Sequence, residues 1–249
     1  MKIYRISYIA IFFIIIALPL VGLLWYEQPE TTENKELATA PVLYDDGINL
    51  KYFSDLKDYY NDHFAYRQEL VTANASIKAN IFKESSEDLA IVGKEDWLFL
   101  KVTLEDYQGT NIASARGINN MVKSVGLMQE YVNGLGASFV FTCAPNKNTL
   151  YPEYMPYYYA VINDVSNLDL ITPKLLESNI NYYDARAAFE NEKDILYHRG
   201  DSHWDNRGAA MVQDGVLDVA EVEHTDYTQL KYTVSESFRG DIYKILYPQ

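Results

Sequence analysis

The stretch Ser138-Phe139-Val140-Phe141-Thr142-Cys143-Ala144 restricts the fold more than any other part of the chain. It is apolar almost without a break, so a strand formed there has no wet face and needs cover on both sides, as in a parallel sheet. A helical pattern precedes it: Ile118, Met121, Val122, Val125, Met128, Val132 and Leu135 recur at helical spacing, and Gly136 supplies the stop. Downstream come a helix over Pro173 to Ser178, a strand over Ile180 to Asp184, a short apolar run from Ile195 to His198, and a helix from about Asn206 to Val222. Strand, helix, strand, helix at these intervals predicts an α/β fold with a mostly parallel sheet. Ligands of such sheets sit beyond the carboxyl ends of the strands. Two loops lie there, Asn146-Lys147-Asn148 and Arg199 to Trp204, and they are expected to converge.

The second loop carries Asp201-Ser202-His203-Trp204. Arg199-Gly200 makes the turn, and Asp205 or Asn206 is placed to cap the helix that follows. A carboxylate two residues from an imidazole suits an orienting Asp and a general-base His: the carboxylate fixes the tautomer and stabilises the imidazolium as it forms. The plain alternative is a surface loop with a capping Asp and an idle His. His63, in Tyr59-Tyr60-Asn61-Asp62-His63-Phe64, is read as a helix-end or packing residue.

Upstream, Leu50 to Tyr60 and Phe64 to Ile81 have helical spacing, with Leu70, Val71, Ala75, Ile77 and Ile81 on one broad face. Leu89 to Leu100 reads as a hairpin, two apolar runs around a polar turn that begins at Gly93. Ile6 to Trp25 is almost wholly apolar and long enough to cross a bilayer at about 20 residues. Pro19 and Gly22 are tolerated in such a helix. Lys2 and Arg5 precede it and Glu27, Glu30 and Glu33 follow it, so the N-terminus is expected in the cytoplasm and the remainder outside, with Trp25 and Tyr26 at the outer interface. This divides the chain into residues 1–26 as stub and uncleaved anchor, 27–48 as polar linker, and 49–249 as the folded domain. The net charge of −14 removes a general nucleic-acid-binding face. A lone cysteine, Cys143, excludes an intramolecular disulfide framework. No cofactor-binding glycine loop is present.

Four segments occur in order: Tyr60-Asn61-Asp62-His63-Phe64-Ala65-Tyr66-Arg67; Ile91 to Phe99; Ala144-Pro145-Asn146-Lys147 with Tyr151-Pro152-Glu153; and Asp201-Ser202-His203-Trp204. Together they resemble the SGNH-hydrolase-like domain of alginate O-acetylation proteins of the AlgX/AlgJ type and the related DHHW proteins. The resemblance runs from about Leu50 onward. It implies an α/β/α sandwich, an extracytoplasmic site, a polysaccharide substrate, and transfer or removal of acetyl groups, with a membrane-bound acyltransferase as a possible acetyl source. It makes Asp201 and His203 the acid and base of a Ser-His-Asp triad, and puts Trp204, Lys147 and Tyr151 among candidate substrate-binding residues. In this family the serine lies downstream, in a Gly-Asp-Ser turn. Here Phe238-Arg239-Gly240-Asp241-Ile242 resembles the segment leading to that turn, and the sequence stops at Gln249. The expectation is therefore a domain lacking its C-terminal part, with no identifiable nucleophile: Ser202 adjoins the base in the same loop, and Ser235 and Ser237 lie in a polar stretch without an elbow.

Two further readings stand beside the enzyme. One is a non-catalytic anchored module that binds glycan or a partner through its tyrosines and Trp204. The other, a metal site built from His198, Asp201 and His203, lacks a fourth ligand nearby, and no metal is expected.

Overall fold

The computed structural model describes residues 2–22, 25–26, 37–44, 47–235 and 238–247. Most of the expected linker, residues 27–36 and 45–46, and the candidate Ser237 lie outside the described residues. The chain divides into two compact units, one of Met1–Phe82 with Lys244–Gln249 and one of Lys83–Tyr243.

In the first unit α1 spans Lys2–Gly22, α2 Tyr52–His63 and α3 Arg67–Ile77, the last continued by one π-helical turn over Lys78–Phe82. Between α2 and α3, Tyr66 takes a left-handed conformation (φ 63°). The side chains of Ile9, Phe12, Phe13, Ile14 and Ile16 on α1 are exposed. α1 covers the expected apolar run from Ile6 to Gly22; residues 23–24 lie outside the described residues. Among the described residues no helix is long and apolar enough to cross a membrane. The amides of Trp25 and Tyr26 both turn back to the Gly22 carbonyl (3.1 and 2.8 Å). Tyr26, expected at a lipid interface, packs its ring at a tilt against Tyr66 (centroids 4.3 Å apart) and donates its hydroxyl to Glu69. Gly22 lies against Ala65, where a Cβ would come within 2.4 Å of the alanine methyl. His63 stacks on Tyr59 and places Nδ1 at 2.9 Å from the Tyr59 carbonyl, the packing role its position called for.

The second unit opens with the expected hairpin, β1 Ala90–Val92 antiparallel to β2 Leu98–Leu100, with Val92 opposite Leu98. Glu95 and Asp96 carry the turn with φ of 53° and 62°. Gly93 allows the Tyr154 carbonyl to approach: a Cβ there would sit 2.5 Å from that oxygen. Alternation puts Ile91, Trp97 and Phe99 inside with Met155, and Tyr154 stacks on Trp97 at 4.2 Å. Burying a ring such as Trp97, which is 0% exposed, contributes roughly 2–3 kcal/mol.

After the short α4 (Leu104–Tyr107), the periodic segment forms α5, Ala115–Gly134, capped by Ser114 Oγ on the Gly117 amide. Gly136 (φ 78°) follows the helix, where a left-handed residue was needed. The buried run then supplies β3, only Phe141–Thr142, parallel to β4, Tyr182–Tyr183. α6 (Lys147–Leu150) lies between them, and so does α7 (Asn167–Glu177). α7 begins six positions before Pro173 because Ser166 and Asp169 form a reciprocal capping box. Ile118 of α5 packs with Ile171 and Leu175 of α7 and Tyr182 of β4, the helix-on-strand contact of an α/β layer.

The expected single parallel sheet is instead two sheets of two strands among the described residues. The reason is local. Asp184, read as a strand-end carboxylate, accepts the Ala187 amide and starts α8 (Ala185–Glu190), which ends β4 after two residues. Ile195–His198 contributes a single bridge, Tyr197 to Trp204, which closes the Asp201–His203 loop like a hairpin. α9 runs Asn206–Val219 with Asp205 as its cap, and α10 covers Asp241–Leu246.

Candidate active site

The bridge at Tyr197 and Trp204 and the Asp205 amide on the Leu196 carbonyl (2.6 Å) hold the base of the loop. α9 starts directly behind it. Asp205 accepts the Arg207 and Gly208 amides, both at 2.9 Å, so helix start and loop end are one structure. At the tip, Asp201 is 5% exposed and His203 is open to solvent. Asp201 Oδ1 lies 2.7 Å from His203 Nδ1 and accepts the His203 amide at 2.8 Å. Asp201 Oδ2 accepts the Asp241 amide at 2.7 Å. Burial pushes the Asp201 carboxyl up, but the hydrogen bonds from Asp241, the His203 amide and the imidazole outweigh it and hold it below the usual aspartate value. Asp201 is thus an anion at neutral pH, braced on both oxygens. Among the described residues nothing hydrogen-bonds His203 Nε2.

Ser202 is not placed as a nucleophile for this base. Its hydroxyl donates to Asp241, and its oxygen lies 3.2 Å from Nδ1, the nitrogen already facing Asp201. Asp241, which sequence reasoning passed over as part of a leading segment, is the residue missed. Its Oδ1 accepts the Ser202 amide at 2.7 Å and its Oδ2 stands 3.7 Å from His203 Nδ1. The signal that could have found it is Gly240: a Cβ there would lie 2.2 Å from the Gly200 carbonyl oxygen, so only glycine lets the two segments touch.

The two loops do converge, and Lys147 is buried where they meet. Lys147 is 6% exposed, and its ammonium donates to the carbonyls of Leu98 (2.8 Å), His198 (2.6 Å), Arg199 (2.7 Å) and Asp201 (3.0 Å). It also lies over the rings of Trp97 and Phe99. Burial lowers its pKa to about 7, against the opposing pull of Asp201 and Asp241. The residue therefore pins the Asp-x-His loop to β2. Tyr151 is structural too: its hydroxyl accepts the Leu196 amide at 2.9 Å, and its ring packs on Trp97 and Tyr197. Trp204 turns inward, edge-on to Phe189 and Tyr197. Lys147, Tyr151 and Trp204, the three candidates for substrate binding, are thus all packed into the frame of the site.

His198, a ligand in the metal reading, does not join Asp201 and His203: its ring lies tilted against Phe238, with centroids 4.3 Å apart. The ligand-capable cluster in the described residues is Asp201, His203 and Asp241. The hydrogen bonds above satisfy its oxygens without an ion.

Strand, loop and helix together present a braced Asp-x-His pair on an α/β domain. Residues 90–244 match the family described as the SGNH hydrolase-like domain of acetyltransferase AlgX, and the chain belongs to that family. Its fold is accordingly SGNH-hydrolase-like, with small sheets. The solved O-acetyltransferase domain of Pseudomonas putida AlgJ is similar at 17% identity and a TM-score of 0.42, over 64% of this chain. The chain spans 61% of that structure's length. No curated protein matches it.

Proposed function

We propose that this protein takes part in O-acetylation of an exported or cell-surface polysaccharide, with Asp201 and His203 as the acid–base pair. The observation that supports this most is the 2.7 Å contact from buried Asp201 to His203 Nδ1, with the opposite edge of the imidazole open to solvent. In that tautomer Nε2 takes a proton from an attacking hydroxyl while Asp201 stabilises the imidazolium. The hydroxyl is supplied to Nε2 from outside the described loop, since that of Ser202 is committed to Asp241. Acyl transfer by a serine-type route, with acetyl groups from a membrane-bound acyltransferase, follows the family pattern. We place the protein in the cell membrane with its domain extracytoplasmic. The support is the exposed apolar surface of α1 and the basic residues Lys2 and Arg5 at its N-terminal end.

A second reading draws on the same Ser202 contact: an anchored module that holds glycan or a partner without turnover. One experiment separates them. The gene is deleted and the O-acetyl content of the surface polysaccharide is measured after complementation. The enzyme reading expects deletion to lower acetylation, wild type to restore it, and His203→Ala and Asp201→Asn to fail while accumulating normally. Full restoration by His203→Ala would establish the binding module, and unchanged acetylation on deletion would overturn both. Protease digestion of spheroplasts should cut the domain; digestion only after lysis would reverse the topology.

A further inference from the structure

We infer that Asp241 is a positioning residue that, through the Ser202 hydroxyl, reinforces the His203 tautomer that Asp201 favours. The inference rests on the acid–base reading of Asp201 and His203 and goes beyond it by assigning a role to a residue outside the pair.

The argument is one of donors and acceptors around a single nitrogen. Two oxygens face His203 Nδ1, Asp201 Oδ1 at 2.7 Å and Ser202 Oγ at 3.2 Å. Asp201 is an anion and can only accept. Ser202 could either donate or accept there, because its hydroxyl rotates. Asp241 removes that choice. Its Oδ2 takes the Ser202 proton, so the oxygen presents a lone pair to Nδ1. With acceptors on both sides, Nδ1 must carry the hydrogen and Nε2 must keep its lone pair toward solvent. Were the Ser202 proton turned toward Nδ1, it would compete with Asp201 for that nitrogen and raise the share of the Nε2–H tautomer, which cannot act as a base.

Three contacts fix Asp241 in this role. Its amide donates to Asp201 Oδ2 at 2.7 Å, its Oδ1 accepts the Ser202 amide at 2.7 Å, and the Ile242 amide bonds the same oxygen at 2.6 Å. Gly240 allows the approach, with the Asp201 nitrogen only 2.6 Å from where its Cβ would be. The Tyr243 amide on the Gly200 carbonyl (2.9 Å) closes the other side. Asp201 therefore orients the imidazole directly, and Asp241 does so through the serine hydroxyl. This also explains why a serine beside the base is not its nucleophile: its proton has been given away on the wrong edge of the ring.

The test is nitrogen NMR of the full chain in detergent micelles, labelled with ¹⁵N-histidine, above pH 8. Neutral imidazoles then report which nitrogen is protonated. The chain has four histidines, and His203→Gln identifies the signal. Wild type should show Nδ1–H. Asp241→Asn keeps size and can donate to the Ser202 oxygen, so it should raise the Nε2–H to Nδ1–H ratio about fivefold to tenfold, the effect of turning one neighbour from acceptor to donor. Ser202→Ala should leave Nδ1–H in place, and adding Asp241→Asn to it should change nothing further, because the relay is gone. An unchanged ratio in Asp241→Asn, or an equal change with and without Ser202, would overturn the inference. Asp241→Ala serves as the second variant, with circular dichroism confirming the fold. Because the readout is the ring itself, it stands apart from polysaccharide acetylation: failure of acetylation with the predicted tautomers would count against the proposed function alone.

Discussion

The burial of Lys147 makes a stability prediction that can be checked without any substrate. An ammonium in water titrates near 10.5, and here burial brings it down to about 7. The folded pKa is lower than the unfolded one. Between about 7 and 10.5 the unfolded chain therefore binds a proton that the folded chain does not, and stability rises with pH across that window. The slope is about 1.4 kcal/mol per pH unit for one group, so moving from pH 7 to pH 9 should add about 2–3 kcal/mol. Lys147→Met keeps the volume over Trp97 and removes the titration. His224 opposes the trend near its own pKa, which the Thr225 carbonyl and Asp218 raise, and its stabilisation is lost as pH increases through it. It is present in both proteins and cancels in the difference. The assay is urea denaturation followed by tryptophan fluorescence, since Trp97 lies 4.8 Å from the Lys147 nitrogen. The wild type should gain stability from pH 7 to pH 9 relative to Lys147→Met. Parallel pH profiles would mean that the four carbonyls keep the ammonium charged throughout, and the reasoning from burial would fail.

Two other changes probe the frame of the site. Asp205→Ala removes the cap from α9 and a partner of Arg207, and should cost about 1–2 kcal/mol in a denaturation midpoint, with little cost if Asn replaces it. Gly240→Ala puts a methyl against the Gly200 backbone; it should destabilise by about 2–4 kcal/mol and, by displacing Asp241, shift the His203 tautomer as Asp241→Asn does. A Gly240→Ala protein with wild-type melting would show that the two segments part without penalty.

Local order carries most of what the sequence determined about this protein. Periodic apolar residues define α5, two apolar runs around the polar turn at Gly93 define the hairpin, and Asp205 before an apolar period defines the start of α9. Each depends on residues close in the chain, so spacing alone specifies it. The Asp201–His203 contact was legible for the same reason: two residues apart in a loop closed at Tyr197 and Trp204, they have little freedom to point elsewhere. What apolar spacing could not express is competition for the same backbone and side chains, whether from a neighbour in the chain or from a distant segment. Ser138 to Ala144 has the composition of a long strand, yet its parallel partner is cut to Tyr182 and Tyr183 by the capping of Asp184, so the sheet stays small. Lys147, Tyr151 and Trp204 have the chemistry of binding residues and are packed against the core, because only packing decides whether a polar head finds carbonyls inside or water outside. Asp241 reaches Asp201 across a long separation, and its role exists only where Gly240 lets two backbones meet. That contact is a property of the tertiary structure, set by sterics that no local pattern encodes.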